Sequence, residues 1–379
     1  CKFFIFPRVI RTTGNNSIAR QIKLFEGNLK LLNSWWRSEI ATYTMNTKAA
    51  KKLLVVFIIL GFNYGVSFQQ FIHFDWTDPR GLGDSASYLA MSNGDSDIAS
   101  IHRYRIIIPF LADCVREVIQ PFISAEQLHT LDALSFYIVN YLITSLTGLL
   151  LYLFLIELRF KPERSLLGVF IFLGSRITIL STGAPIADSL YYLAIIIILY
   201  CCLTQRSILL SVLNPLLIIT KETTVPFLFL PLFVKTLNRK LIFFSISVSF
   251  IVLFWVRNSV TAVLPNVIKT SDPILSTITS HLESGLENLS QGYFSLAGWH
   301  GLFSPFSVFW VIAFFGAWLE FKKIDTHYQI PRFLLLTIPI TFGFTVLSSN
   351  VGRMLHSLFP LVIPYALIGI DYILSRKQN

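Results

Sequence analysis

The chain has 379 residues, 54% of them hydrophobic and only 14% charged, with a mean hydropathy of +0.63. Soluble domains carry roughly a quarter charged residues and have no use for so much apolar surface, whereas a lipid-embedded helical bundle needs an apolar exterior as well as an apolar core. The formal charge of +10 does not point to nucleic acid: seven Lys/Arg against two Asp/Glu stand in the first 44 residues, and most other basic groups lie in short turns between apolar runs, as topology signals do.

In chain order, residues 1–44 mix basic groups with Trp35, Trp36 and scattered Phe without a sustained helical period. The chain begins at Cys1 and its first methionine is Met45. Residues 1–44 therefore read as an upstream extension with Met45 as the natural start, or as a basic arm on the inner membrane surface. Residues 45–379 read as one membrane domain. Its apolar segments are 53–74, 131–156, 165–181, 187–204, 207–219, 223–234, 241–256, 305–319, 332–349 and 354–374. Since a span takes about 20 apolar residues, the expected fold is all-α, a polytopic transmembrane bundle of nine to ten membrane segments. Segments 207–219 and 223–234 are short and flank TKETT, which predicts a pair of half-length helices in place of one span.

Fifteen Lys/Arg cluster in one alternate set of turns, from Lys48 through Arg159, Lys240 and Lys323 to Lys377. The positive-inside rule makes that face cytoplasmic, with both termini inside. The opposite face then carries two long loops, about 75–130 and 257–304. Segments 106–122 and 274–289 within them have amphipathic spacing and predict interfacial helices, with Pro109 in the first turn of the former. The four cysteines, Cys1, Cys114, Cys201 and Cys202, show no metal or redox spacing.

With topology set by the inner basic residues alone, Asp84, Arg103, Arg105, Asp188, Lys221, Glu222, Arg257 and Arg353 all fall on the outer face or just below it. Each has a plain structural reading and a functional one. Asp84, in GDSASYLAM, is either a helix N-cap or a catalytic or metal-binding carboxylate; Tyr88 and Met91 share a side if a helix starts there. Asp95 and Asp97 suit a solvated turn. Arg103 and Arg105, in HRYRIIIP, either snorkel or grip a phosphate, with His102 ranked below both. Asp188 opens an apolar run, where a helix dipole alone would favour it. Lys221 and Glu222 interrupt apolar sequence at a depth that demands partners. Adjacent helical residues do not face one another, so each should pair elsewhere: Lys221 with a phosphate, Glu222 with Arg103 or Arg353. Arg353, in SSNVGRMLHSLF, defies the charge rule, and Gly352 beside it would let a ligand come close.

The combination of GDSASYLAM, HRYRIIIP, PIADSLYYLA, TKETTVPF and GRMLHSLFPLVIPY along a membrane chain resembles the GT-C class of membrane glycosyltransferases, over most of residues 45–379. The resemblance implies transfer of a sugar from a polyprenyl-phosphate donor to a glycan, lipid or protein acceptor on the extracytoplasmic face of a bacterial inner membrane, with inversion. It implies Asp84 as base and Arg103, Arg105, Lys221 and Arg353 as ligands of the lipid phosphate. Glu222, Asp188, His102 and Tyr88 would support them. The paired acidic motif of many such enzymes is absent, since serine follows Asp84; if a divalent cation (Mg or Mn) is used, Asp84 is its ligand. The competing readings are a lipid or solute transporter or flippase, a ligase of lipid-linked glycans, and a non-catalytic envelope-assembly subunit.

Overall fold

Each of the ten apolar segments contains a helix, and the residues at its ends explain where it stops. The computed structural model describes residues 49–75, 84–94, 102, 104–122, 128–262, 283, 285, 295–324, 328, 330–347 and 350–376. These are helix and turn, with no strand among the described residues. Two units divide the chain, Cys1–Phe57 and Ile58–Asn379. Of the first, residues 49–57 are described and are helical; the extension 1–44 and the expected boundary at 44/45 lie outside the described residues. So do Arg103, Asp95, Asp97, and the expected interfacial helix 274–289 apart from Glu283 and Gly285.

The helices are α1 (Ala49–His73), α2 (Ser85–Ser92), α3 (Ile107–Ile119), α4 (Leu128–Glu157), α5 (Pro162–Leu173), α6 (Arg176–Gly183), α7 (Asp188–Leu203), α8 (Ser207–Leu217), α9 (Glu222–Phe233, with 3-10 turns at both ends), α10 (Arg239–Ala262), α11 (Leu296–Phe303), α12 (Phe309–Phe321), α13 (Arg332–Val346) and α14 (Val351–Arg376). The run 165–181 is two helices meeting at 64°. Gly174 ends α5, and Ser175 adopts an extended backbone whose hydroxyl accepts from Thr178 N, starting α6 afresh. Across TKETT the chain likewise forms two short helices, as expected, because Lys221 is extended (φ −167°, ψ 144°).

α7 is the centre of the molecule. It is apolar on every side and buried, with Tyr191, Ala194, Ile195, Ile198 and Leu199 all at 0% exposure. α4, α6, α8, α9 and the 3-10 turn that opens α9 pack against it. α12 lies along α14 at small residues. A Cβ on Gly316 would stand 1.9 Å from the Tyr365 carbonyl oxygen, and one on Gly369 2.6 Å from that of Ile312; only glycines allow this backbone approach. α3 starts at Ile107 with Pro109 in its first turn. It buries Ile108 and Ala112 against Tyr88, Phe136 and Ile186 while leaving Phe110 and Val118 exposed. Apolar on two sides, it suits a membrane surface.

Among the described residues four helices are long and apolar enough to cross a membrane, α1, α4, α10 and α14, and the bent α5–α6 pair counts as a fifth if it is one span. α10 also turns Phe243, Phe244, Ile251, Phe254 and Trp255 outward, which water would penalise and lipid would not. The described residues thus form an all-helical fold compatible with integral membrane insertion. The expected nine to ten segments include five helices of 10–17 residues. These are shorter than a span; α8 and α9 are separated by the extended Lys221.

Candidate active site

Asp84 holds the N-cap position of α2, yet its backbone is helical (φ −81°, ψ −26°) and its side chain caps nothing. The carboxylate turns away from the helix. It accepts from Arg353 Nη2 at 2.8 Å and stands 3.5 Å from His102 Nε2 and 4.0 Å from Arg105 Nη1. The N-cap reading therefore fails for this residue. One turn on, Tyr88 is fully buried; its hydroxyl accepts from Arg105 Nη1 at 2.9 Å and its ring lies 5.4 Å from that of His102. Ser87 Oγ lies 3.1 Å from His102 Nδ1.

The floor of the site is Asp188. Pro185 separates α6 from α7, and the carbonyls freed there, of Ala184 and Ile186, accept from Asn140 Nδ2 at 3.0 and 3.3 Å. Ser189 Oγ donates to Asn140 Oδ1 at 2.5 Å. These bonds tie the start of α7 to α4 and aim Asp188, its first residue, at two cations. Lys221 Nζ donates to Oδ1 at 2.6 Å and Arg353 Nε donates to Oδ2. Asp188, Lys221 and Arg353 are 2%, 4% and 8% exposed, so a full salt bridge has been taken out of water. The extended backbone at Lys221 swings its ammonium inward, over the ring of Tyr191 at 5.3 Å. Asn350 caps α14 by accepting from Arg353 N at 3.2 Å.

Glu222 is paired with Arg105, whose Nε donates to Oε2 at 3.2 Å. This corrects the expected partner Arg353, which goes to Asp84 and Asp188, while the other expected partner, Arg103, lies outside the described residues: the break before α9 turns consecutive residues in opposite directions, so Lys221 reaches α7 while Glu222 faces the loop bearing Arg105. Gly352 is also corrected. It admits no ligand, because the Gly301 carbonyl oxygen and Ser304 Oγ already lie 2.9 Å from where its Cβ would be. The absence of a side chain serves the packing of α11 on α14.

Six groups spread over 269 residues thus form one network. Asp188, Lys221 and Arg353 make a buried base; Asp84 and Glu222, 22% and 33% exposed, make the rim. Burial alone would raise the Asp84 carboxyl, but the His102 hydrogen bond and the Arg353 charge outweigh it and hold it well below the usual carboxylate range. Burial would likewise lower Arg105, yet Tyr88 and Glu222 hold it above the ordinary arginine value. Burial pushes the Tyr88 phenol up, so it stays protonated.

No protein-family model, curated protein or solved structure matches this chain.

What the network can do chemically therefore rests on its own groups. Three carboxylates face three cations, an even balance. Arg257 adds a further positive charge at the rim. It lies 3.9 Å from Glu222 and 4.9 Å over the ring of Tyr104, and its Nε is buried without a hydrogen-bond partner. From the sequence Arg257 had only a place on the outer face; the signal for a role is an arginine ending an apolar run beyond α10's last hydrophobic turn. Among the described residues no three His, Cys, Asp or Glu converge as metal ligands. Asp84 sits against two guanidinium groups, a setting that repels a divalent cation, so this donor set does not fit Mg or Mn.

A cavity of about 900 Å³ lies elsewhere, beside the α5–α6 bend. Arg176, on its wall, was missed by sequence reasoning, although an arginine inside the apolar run 165–181 is a signal in itself.

Proposed function

We propose that this protein is an extracytoplasmic-face membrane glycosyltransferase that moves a sugar from a polyprenyl-phosphate donor to a hydroxyl acceptor with inversion. What carries the reading is the meeting of Asp84, Arg105, Asp188, Lys221, Glu222 and Arg353 in one half-open cluster, with Asp84 at its rim and not capping its helix. In this reading the cluster faces the outside, both termini and the basic turns face the cytoplasm, and the membrane is a bacterial inner membrane. The shorter apolar helices complete nine to ten membrane segments.

The acceptor oxygen attacks the anomeric carbon, the bond from that carbon to the phosphate oxygen breaks, and the acceptor proton passes to Asp84 and then to water. The lipid phosphate departs carrying the electron pair. No step passes through a metal. In the unliganded cluster Asp84 is a weak base, because Arg353 and His102 stabilise its charge. A donor phosphate that draws Arg353 or Arg105 toward itself removes that stabilisation and raises the basicity of Asp84 when a substrate is present. Arg257, 43% exposed at the rim, is the cation best placed to meet the phosphate first, followed by Arg105 and Arg353; Lys221 stays with Asp188. His102 beside Asp84 orients it, and Arg103, outside the described residues, keeps its proposed phosphate role.

The test is turnover of polyprenyl-phosphate sugars by purified protein. Asp84→Asn should lower kcat by about 10²–10⁴-fold with the protein still folded in detergent, and Asp84→Glu should retain part of the rate. Full activity in Asp84→Asn sinks the proposal. A transporter is the second reading, favoured by the broken α5–α6 and α8–α9 pairs and by a charge-balanced cluster of the kind a gate uses. Substrate uptake or flipping that depends on Asp84, with no transfer, would decide for it.

A further inference from the structure

The bend at Gly174 and Ser175 opens a cavity of about 900 Å³ between α5–α6, the end of α1 and the turn joining α11 to α12, within the volume range of small-molecule sites. Phe170, Ile179, Leu180 and Phe306 make its apolar wall. Arg176, exposed within it, donates Nη1 to His300 Nε2 at 2.7 Å. An arginine donor requires that ring nitrogen to be unprotonated, so the imidazole is a neutral neighbour and supplies no counter-charge. The position of Arg176 is costly. If α5–α6 is one bent span entering from the basic turn before Pro162, α5 rises about 18 Å over its twelve residues against a hydrocarbon thickness of about 30 Å, which puts Arg176 below the outer lipid boundary. Ionisable groups at such depth face a cavity and take a partner there. Gln70, His73 and Asp75 line the cavity where α1 ends.

We infer that this cavity binds an amphiphile with an anionic phosphate head, the head on Arg176 and the chain along Phe170, Ile179 and Phe306. The chemistry is shared by a lipid-linked carrier phosphate and an ordinary anionic phospholipid. The site is separate from the Asp84 cluster, and its occupancy does not depend on the catalytic reading. Asp75 is the acid of the lining; an anionic head on Arg176 predicts that Asp75 is dispensable.

Native mass spectrometry of the full-length protein in non-ionic detergent tests this, with a long-chain polyprenyl phosphate, dioleoyl phosphatidylglycerol and dioleoyl phosphatidylcholine as probes. Both phosphate lipids, or the polyprenyl phosphate alone, should bind at least tenfold tighter than the choline lipid. The first pattern assigns the site to membrane phospholipid, the second to a carrier lipid. Arg176→Gln should weaken that binding about tenfold, the loss of one charge-assisted hydrogen bond. Arg176→Lys should retain part of it, and Ile179→Trp should exclude the chain while the unliganded unfolding midpoint stays put. Asp75→Asn should bind as the parent does. Equal binding by parent and Arg176→Gln, equal binding of the choline lipid, or loss of binding in Asp75→Asn would each overturn the inference. Loss of Asp84→Asn turnover is read in a separate assay, so the two proposals fail independently.

Discussion

Asp188→Asn is the most incisive perturbation of the cluster, because it changes charge with almost no change in shape. Asp188 is 2% exposed and is, among the described residues, the acid paired with Lys221, which is 4% exposed; it also shares Arg353 with Asp84. Removing one partner of a buried pair costs about 3–5 kcal/mol, since the surviving charge is left without compensation. Here Lys221 loses its counter-ion outright while Arg353 keeps Asp84, so the cost should fall at about 3–4 kcal/mol. Lys221→Met removes the stranded ammonium. Made together with Asp188→Asn it should recover about 1–3 kcal/mol relative to the sum of the two single variants. Denaturant or thermal unfolding in one detergent, over all four corners of the cycle, reads this coupling. A single Asp188→Asn variant within about 1 kcal/mol of the parent, or a coupling near zero, would refute the claim that these groups are a buried ion pair.

Arg257→Gln should leave the unfolding midpoint unchanged, because the side chain is 43% exposed, yet raise KM for a lipid-phosphate donor about tenfold with kcat held, as loss of a ground-state phosphate contact does; an unchanged KM removes Arg257 from the phosphate path. Acid should destabilise the protein through Asp84. Its carboxyl is held below the unfolded value near 4, so its contribution is complete above about pH 4 and lost as pH falls further; Asp84→Asn should flatten the stability profile below pH 4, and an unaltered profile would show that other carboxylates govern it. Cys114 is exposed on α3 whereas Cys201 and Cys202 are buried, so in a variant with Cys1 replaced, an impermeant maleimide applied from outside should label Cys114 in intact cells. Labelling only after lysis would invert the proposed orientation.

The sequence revealed the segments and the residues of the cluster for one physical reason: an ionisable group in apolar sequence is costly and therefore conspicuous. Lys221, Glu222, Asp188 and Arg353 were found that way, and the expectation that Lys221 and Glu222 pair elsewhere followed from helix geometry. Which acid meets which base was not legible. The partner of Glu222 depends on the extended backbone at Lys221, and TKETT does not announce that conformation. The same limit hid the bend at Gly174–Ser175, where an apolar run of span length becomes two helices. Gly352 was misread because a glycine needed for a neighbouring backbone leaves the same trace as one needed for a ligand.

The even charge balance of the cluster bears on what it can bind. Three carboxylates against three cations leave no net attraction for a phosphate at the base, where Lys221 and Arg353 are committed to Asp188. At the base an anion can enter only by exchanging partners, and the group there with two acids to choose between is Arg353, shared by Asp84 and Asp188, as Arg105 at the rim stands between Asp84 and Glu222. If Arg353 turns to a phosphate, Asp188 still holds Lys221, while Asp84 loses its closest cation and becomes a better proton acceptor. Donor binding and base activation are then one event at one guanidinium. The buried Asp188–Lys221 pair is what allows it, because it keeps the base neutral while Arg353 changes partners.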